Sequence, residues 1–197
     1  MGEVIGINPA DGSRLRVLEA TSTVEIERRM KRARGAFESW RRLTVKKRLA
    51  YLARLRQVMA GRVDEISKTI AQATGKVDLE ALTGDVLSTL MMIRYTEKSA
   101  GAALATEERK PAALFFGASF RVEYYPYGVV AVFGPWNYPL QLAMVPMITA
   151  LAAGNTVILK ASEITPTVGE LIEELFAQAG FPPDVVHVIQ GEKDVGR

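Results

Sequence analysis

The chain contains no cysteine and a single histidine, His187. Without a thiol, these residues offer no disulfide, no thiolate metal site and no cysteine nucleophile. His187 sits in an apolar run that reads as a strand. No partners for a metal centre or a Ser-His-Asp relay are in view, so a structural role is expected and no metal site is. No stretch of about eighteen apolar residues occurs, and the start lacks the charged-then-apolar pattern of a secretory signal. The expectation is a cytoplasmic protein with no membrane partner. A G-x-G-x-x-G fingerprint is missing. So is a P-loop, because residues 154–160 lack its composition and no Ser or Thr follows Lys160. Internal repeats and low-complexity segments are absent as well.

What remains is ordinary for a globular chain: 48% hydrophobic and 24% charged residues, enough to bury the core of one domain or somewhat more. The net charge of +3 is modest. Its one dense cluster, residues 28–48, holds ten Lys/Arg against a single acid, Glu38. Such a run can mark a nucleic-acid or anionic-membrane surface. Here the apolar stripe of the same segment is complete and the charges fall on the other faces. A solvated helix face is therefore expected, with no nucleic-acid partner.

Residues 128–163, GVVAVFGPWNYPLQLAMVPMITALAAGNTVILKASE, organise the chain. Residues 129–133 form a continuous apolar, β-branched-rich run, as expected for a strand covered on both faces. Gly134 frees the backbone, and Pro135 and Pro139 fix φ and each remove an N–H, so a polar turn must follow. Residues 140–153 are long enough for a helix, apolar nearly all round and stopped by Gly154-Asn155. Residues 156–159 read as the next strand, delivering Lys160, Ser162 and Glu163 to its carboxyl end. A second helix starting near Pro166, with Leu171, Ile172, Leu175, Phe176 and Ala179 inward and Gly180 as its stop, leads to a third strand at 185–189. The outcome is β-α-β-α-β, the first half of a Rossmann-like parallel sheet, with both polar turns at the carboxyl edge where ligands bind.

Upstream, residues 4–20 suggest short strands around Asn-Pro and Asp-Gly turns. Ser22 and Glu25 form a capping-box pattern opening a helix with Ile26, Met30, Ala33, Phe37 and Trp40 on one face. A second helix carries Val45, Leu49, Leu52, Arg56 and Met59. A short third carries Val63, Ile66 and Ile70. A fourth, over 78–103, turns Leu79, Leu82, Val86, Leu90 and Ile93 inward. This helical block is expected to pack around the outside of the sheet. Residues 106–118 read as a connector, and 120–125 alternate like an exposed-edge strand.

The PWNYP turn (residues 135–139), AAGNTVILK ending at Lys160, the Ala-Ser-Glu that follows it, Thr165-Pro166 and AGFPPDVVHVIQG (179–191) together resemble the aldehyde dehydrogenase superfamily, over essentially the whole chain. The fold class implied is α/β and aldehyde dehydrogenase-like, an N-terminal helical segment plus the first half of a Rossmann-like sheet. Its divisions would be 1–118 as the helical part of the cofactor-binding domain, 119–127 as an edge strand of an oligomerisation arm, and 128–197 as the half-sheet. By residue chemistry alone Asn137 is a turn former. The resemblance makes it the amide donor that stabilises an oxyanion. Lys160, Ser162 and Glu163 by themselves are loop polar groups. The resemblance assigns them, with Phe133, Gly134, Pro135 and Trp136, to cofactor binding, Lys160 and Glu163 taking the two hydroxyls of an adenosine ribose. For Trp136 a packing role stands beside that reading. Ala161 departs from the family's usual Pro, loosening the second turn. Glu163 would repel a 2′-phosphate, which favours NAD, although NADP serves some members of the family.

The reaction implied is oxidation of an aldehyde to a carboxylic acid, in a homo-oligomer. It requires a cysteine thiolate and a glutamate base, which in the family lie well beyond the last strand found here. The chain is therefore expected to be an N-terminal portion, inactive alone and lacking the catalytic domain, with a sheet edge and inner helix faces uncovered and hence poor solubility. The alternative is a free-standing dinucleotide-binding or oligomer-interaction module. The aldehyde itself is left open.

Overall fold

The computed structural model describes residues 2–110 and 118–196. Strands β1 (Glu3–Ile7) and β2 (Arg14–Glu19) pair antiparallel into the expected hairpin. Helix α1 (Thr23–Trp40) opens on Ser22, whose hydroxyl accepts the Glu25 N–H at 3.2 Å. Its predicted stripe faces inward, with Ala33 and Trp40 fully buried. Thr44 caps α2 (Val45–Ala60) in the same way, accepting from the Lys47 N–H. Helix α3 (Val63–Thr74) stops at Gly75, which takes the left-handed conformation at φ 75°.

The fourth helical run does span 78–103, but it is not uniformly α. It comprises α4 (Asp78–Glu80), a π-helical segment (Ala81–Leu87) and α5 (Ser88–Ala103). The wider π turn shifts the phase of the inward face. Val86 and Ile93 are buried as expected, whereas Leu79, expected inward, is 67% exposed.

Strand β4 (Phe120–Val122) is three residues long rather than the six expected, and it pairs antiparallel with β3 (Glu107–Arg109), a strand the sequence reading had placed in a connector. Pro126, which has no N–H to give a ladder, lies close beyond it. Residues 111–117 of that connector lie outside the described residues.

The remaining elements are β5 (Val129–Phe133), α6 (Gln141–Ala153), β6 (Thr156–Lys160), α7 (Pro166–Gln178) and β7 (Val186–Ile189). The strands form a parallel sheet in the order β5-β6-β7, so the β-α-β-α-β reading holds. The central strand is β6, every residue of which is buried. Strand β5 is an edge. Its Ala131 and Phe133 are exposed, so the expectation of a strand covered on both faces is corrected. An apolar run records side-chain type and does not report what packs over each face of the strand.

The period of two sorts β6 between two layers. Val157 and Leu159 join the main core with α6, α7 and the helical block behind them. Ile158 joins Ile189 and Ala33 of α1 on the opposite face. There α1 is fastened to the sheet by polar bonds, Thr156 Oγ1 donating to the Ala33 carbonyl at 3.1 Å and the Arg29 guanidinium to the Val188 carbonyl at 2.6 Å.

The basic cluster is only partly a solvated face. Arg28 and Arg29 pair with Glu25, Arg32 pairs with Asp184, and Arg48 is buried. The Arg48 guanidinium donates to the Ala152 carbonyl at 2.9 Å and also to Leu43, and Trp40 Nε1 donates to the Leu151 carbonyl at 3.2 Å. Arg48 takes up a carbonyl near the end of α6, while the Leu151 carbonyl also accepts the Gly154 N–H at 3.0 Å.

Candidate functional site

The first polar turn leaves β5 at Gly134, whose N–H donates to the Lys160 carbonyl at 3.0 Å. That bond joins the start of the first turn to the start of the second. A Cβ on Gly134 would lie 3.3 Å from the Ala143 methyl and close to Leu159, so the turn must run tight against α6 and β6. Phe133, Trp136 and Asn137 are exposed, while Pro139 and Leu140 are buried. Asn137 thus sits at the crest of a turn anchored at both ends. Among the described residues none hydrogen-bonds its side-chain amide. Trp136, at 54% exposure, is not a packing residue here.

The anchor at the far end comes from the π-helical segment. Asp85 is fully buried, and one carboxylate oxygen accepts the N–H groups of both Leu140 and Gln141 at 3.1 Å. Its other oxygen meets the Lys76 ammonium at 2.9 Å. The same ammonium lies over the Tyr138 ring, 3.6 Å from its centre. Sequence reasoning missed Asp85 and Lys76. The available signal was a carboxylate set between Ala81, Leu82 and Val86, on the inward line of an otherwise apolar helical face.

The second turn is built largely from its own residues, with the Ala161 N–H tied to the Ile189 carbonyl at 3.2 Å. Lys160 Nζ donates to Glu163 at 2.6 Å, Ser162 Oγ accepts the Ile164 N–H at 3.2 Å, and the Thr165 N–H donates to the Ser162 carbonyl. Lys160 and Ser162 are buried, and the Glu163 side chain is 42% exposed. The Lys160 ammonium, and then the turn's own backbone N–H, hold the Glu163 carboxyl below the usual glutamate range. Gly134, Pro139, Ser162, Thr165 and Gly169 line a narrow crevice between the turns. Gly169 is required there, because a Cβ would fall 2.5 Å from the Ala161 methyl.

Of the eight residues singled out from the sequence, the structure gathers Phe133, Gly134, Pro135, Trp136, Asn137, Lys160, Ser162 and Glu163 at one edge of the sheet, the carboxyl ends of β5 and β6. A concavity of about 570 Å³ lies elsewhere, between the hairpin, α3 and α7, and its charged lining is Arg16, Glu65, Glu170 and Glu174. Its size reflects surface shape and brings together no catalytic set. His187 is buried beside Asp184, its Nε2 3.3 Å away, and burial pushes its pKa below the usual histidine value while Asp184 opposes that. No group of His, Asp and Glu among the described residues can hold a metal ion. No helix among them is long and apolar enough to cross a membrane.

Residues 2–197 match the model of the aldehyde dehydrogenase family. The chain belongs to that family. Among curated relatives, 4,4′-diapolycopene aldehyde oxidase of Methylomonas sp. is 37% identical over all 197 residues of the chain, which span 37% of that relative. N-succinylglutamate 5-semialdehyde dehydrogenase of Chromobacterium violaceum is 38% identical over 189 residues, 96% of the chain and 38% of the relative. The chain therefore spans less than two fifths of the length of these relatives. Among solved structures, an aldehyde dehydrogenase from Brucella melitensis biovar abortus superposes with a TM-score of 0.92 at 27% identity over 99% of the chain and 40% of its own. PnpE in complex with nicotinamide adenine dinucleotide superposes with a TM-score of 0.90 at 31% identity over 98% of the chain and 39% of its own. The α/β, aldehyde dehydrogenase-like fold expected from the sequence is thereby shown, and both polar turns fall within the matched residues.

Proposed function

We propose that this chain supplies the oxyanion donor and the cofactor-ribose contacts of an NAD-dependent aldehyde dehydrogenase that oxidises an aldehyde to a carboxylic acid. The observation behind this reading is the pairing of the two turns. Asn137 presents an uncommitted amide at the carboxyl end of β5. Lys160 and Glu163 present a donor and an acceptor 2.6 Å apart at the carboxyl end of β6. An amide N–H aimed where negative charge develops stabilises an alkoxide without a proton transfer of its own. It does so best when fixed in advance, as a turn pinned at both ends is. Lys160 and Glu163 suit the vicinal hydroxyls of a ribose, the ammonium donating to one and the carboxylate accepting from the other. A 2′-phosphate would meet the Glu163 carboxylate, so NAD fits better than NADP. NAD held at its ribose by Lys160 and Glu163 would supply the hydride acceptor that aldehyde oxidation requires.

The thiolate that attacks the aldehyde and the base for the deacylating water come from sequence other than these 197 residues, which contain no cysteine. The chain alone is accordingly inactive. The relatives' names point to unlike aldehydes, so the substrate is assigned here only as a class. The exposed β3–β4 pair, with Phe120, Val122 and Tyr124 on its surface, is the contact arm we assign to homo-oligomer formation.

Aldehyde-dependent NAD reduction, followed by absorbance, tests the proposal on two samples. The native polypeptide carrying these residues is expected to reduce NAD, and the 197-residue chain alone is expected to be silent. Activity in the isolated chain, or none in the native polypeptide across a panel of aliphatic, aromatic and semialdehyde substrates, would contradict it.

A further inference from the structure

The proposed role of Asn137 demands that its amide be held in place, yet among the described residues Asn137 makes no side-chain bond to hold itself. We propose that Asp85 and Lys76, residues of the helical block that touch no reacting atom, are the positioning pair for the Asn137 turn. This inference rests on the reading of Asn137 as the oxyanion donor. The geometry is a clamp from one side of the turn. The Asp85 carboxylate fixes the two N–H groups at Leu140 and Gln141, where α6 begins, and the negative charge suits a helix N-terminus. Lys76 is bound to that carboxylate and lies on the face of Tyr138, the residue next to Asn137. A third contact comes from Gly84, since a Cβ there would fall 2.8 Å from a Tyr138 ring carbon. Three groups from 76–85 thus bear on Tyr138, Leu140 and Gln141, which leaves Asn137 little freedom beyond its own side-chain torsions.

The device needs the π-helical segment. Its i→i+5 turn accommodates one more residue than an α turn would. A regular helix through 81–87 would bring Gly84 and Asp85 to a different angle, and the carboxylate would no longer face α6. A buried ion pair is a poor way to gain stability when an apolar contact would serve. This one is accounted for by what it orients.

The chain has three asparagines, Asn8, Asn137 and Asn155, and of these only Asn137 follows a tryptophan. Labelling asparagine with ¹⁵N and the tryptophan carbonyl with ¹³C in the native polypeptide carrying these residues selects the amides that follow a tryptophan, and the signal lost on Asn137→Asp is that of Asn137. In the unsubstituted chain the Asn137 backbone order parameter should lie near the rigid value of about 0.85. In Asp85→Asn, which keeps an oxygen for the two N–H groups, and in Lys76→Met, which keeps the carboxylate, it should fall toward or below about 0.6. The other asparagine signals should stay at their original positions in both. An Asn137 amide as rigid in both variants as in the parent would overturn the proposal. Loss of all the asparagine signals together would overturn it too, since the pair would then serve the whole fold and not this turn. Neither result bears on whether Asn137 stabilises an oxyanion, which kinetics of an Asn137 variant decide separately.

Discussion

The two turns at the carboxyl edge of the sheet do similar work by opposite constructions. The turn after β6 is held mostly by bonds among Lys160, Ser162, Glu163, Ile164 and Thr165, all within a few residues of one another, with the Ala161 N–H also donating to the Ile189 carbonyl at 3.2 Å. The turn after β5 is held from outside, chiefly by Asp85, 55 residues from Leu140 in sequence. A self-contained turn survives the loss of distant groups and stays adjustable at its surface. A turn clamped from another element is rigid only while that element keeps its geometry. On the proposed roles, rigidity suits the group that would meet a developing charge, whereas a ribose contact would tolerate small movement. Substitutions far from the first turn should therefore disturb it more than substitutions equally far from the second disturb that one.

The largest expected effect is at Asp85. Removing it in Asp85→Ala leaves the part-buried Lys76 ammonium without its carboxylate and strips two N–H groups of their acceptor, and should cost about 3–5 kcal/mol. A urea melt would show this, and a loss under about 1 kcal/mol would make the first turn as self-sufficient as the second. Next is Gly84→Ala. The added methyl meets the Tyr138 ring at 2.8 Å and should cost about 1–3 kcal/mol through overpacking, read as a lowered thermal midpoint. An unchanged midpoint would mean that Tyr138 is free to move.

The smallest effect belongs to the second turn. Because Glu163 is more than a third exposed, its pair with Lys160 is screened, and Glu163→Gln should change stability by under about 1 kcal/mol at neutral pH. The sign follows from the depressed carboxyl pKa. Its contribution is full above the ordinary glutamate range and is lost as pH falls through the lowered folded-state value. Parent and variant midpoints should therefore converge in acid below about pH 4. A gap that widens there would assign the Glu163 shift to some other cause.

The same contrast explains what was legible in the sequence. The second turn, the β-α-β-α-β order and the capped start of α1 depend chiefly on near neighbours, and local pattern sufficed to read them. The first turn's position was legible from Gly134, Pro135 and Pro139, but its support was not, because Lys76 and Asp85 meet Tyr138 and Leu140 only through the tertiary fold. Leu79 was misassigned because an inserted π turn leaves no clear mark in residue periodicity. The covering of β5 was misjudged because Val129–Phe133 reads the same at an edge as at a centre. Arg48 passed for a surface charge in a basic run although it is buried against the end of α6, a placement decided by where Ala152 lies.

Steady-state kinetics of the native polypeptide test the central claim most directly, by comparing Asn137→Ala with Glu163→Gln. If the two turns hold an oxyanion donor and a ribose contact, Asn137→Ala should lower kcat by about 10²- to 10³-fold with the KM for NAD nearly unchanged. Glu163→Gln should raise the KM for NAD, by up to about tenfold for one lost hydrogen bond to a charged group, with kcat nearly unchanged. If both substitutions move the same parameter, or neither moves any, the two turns do not divide the work in this way.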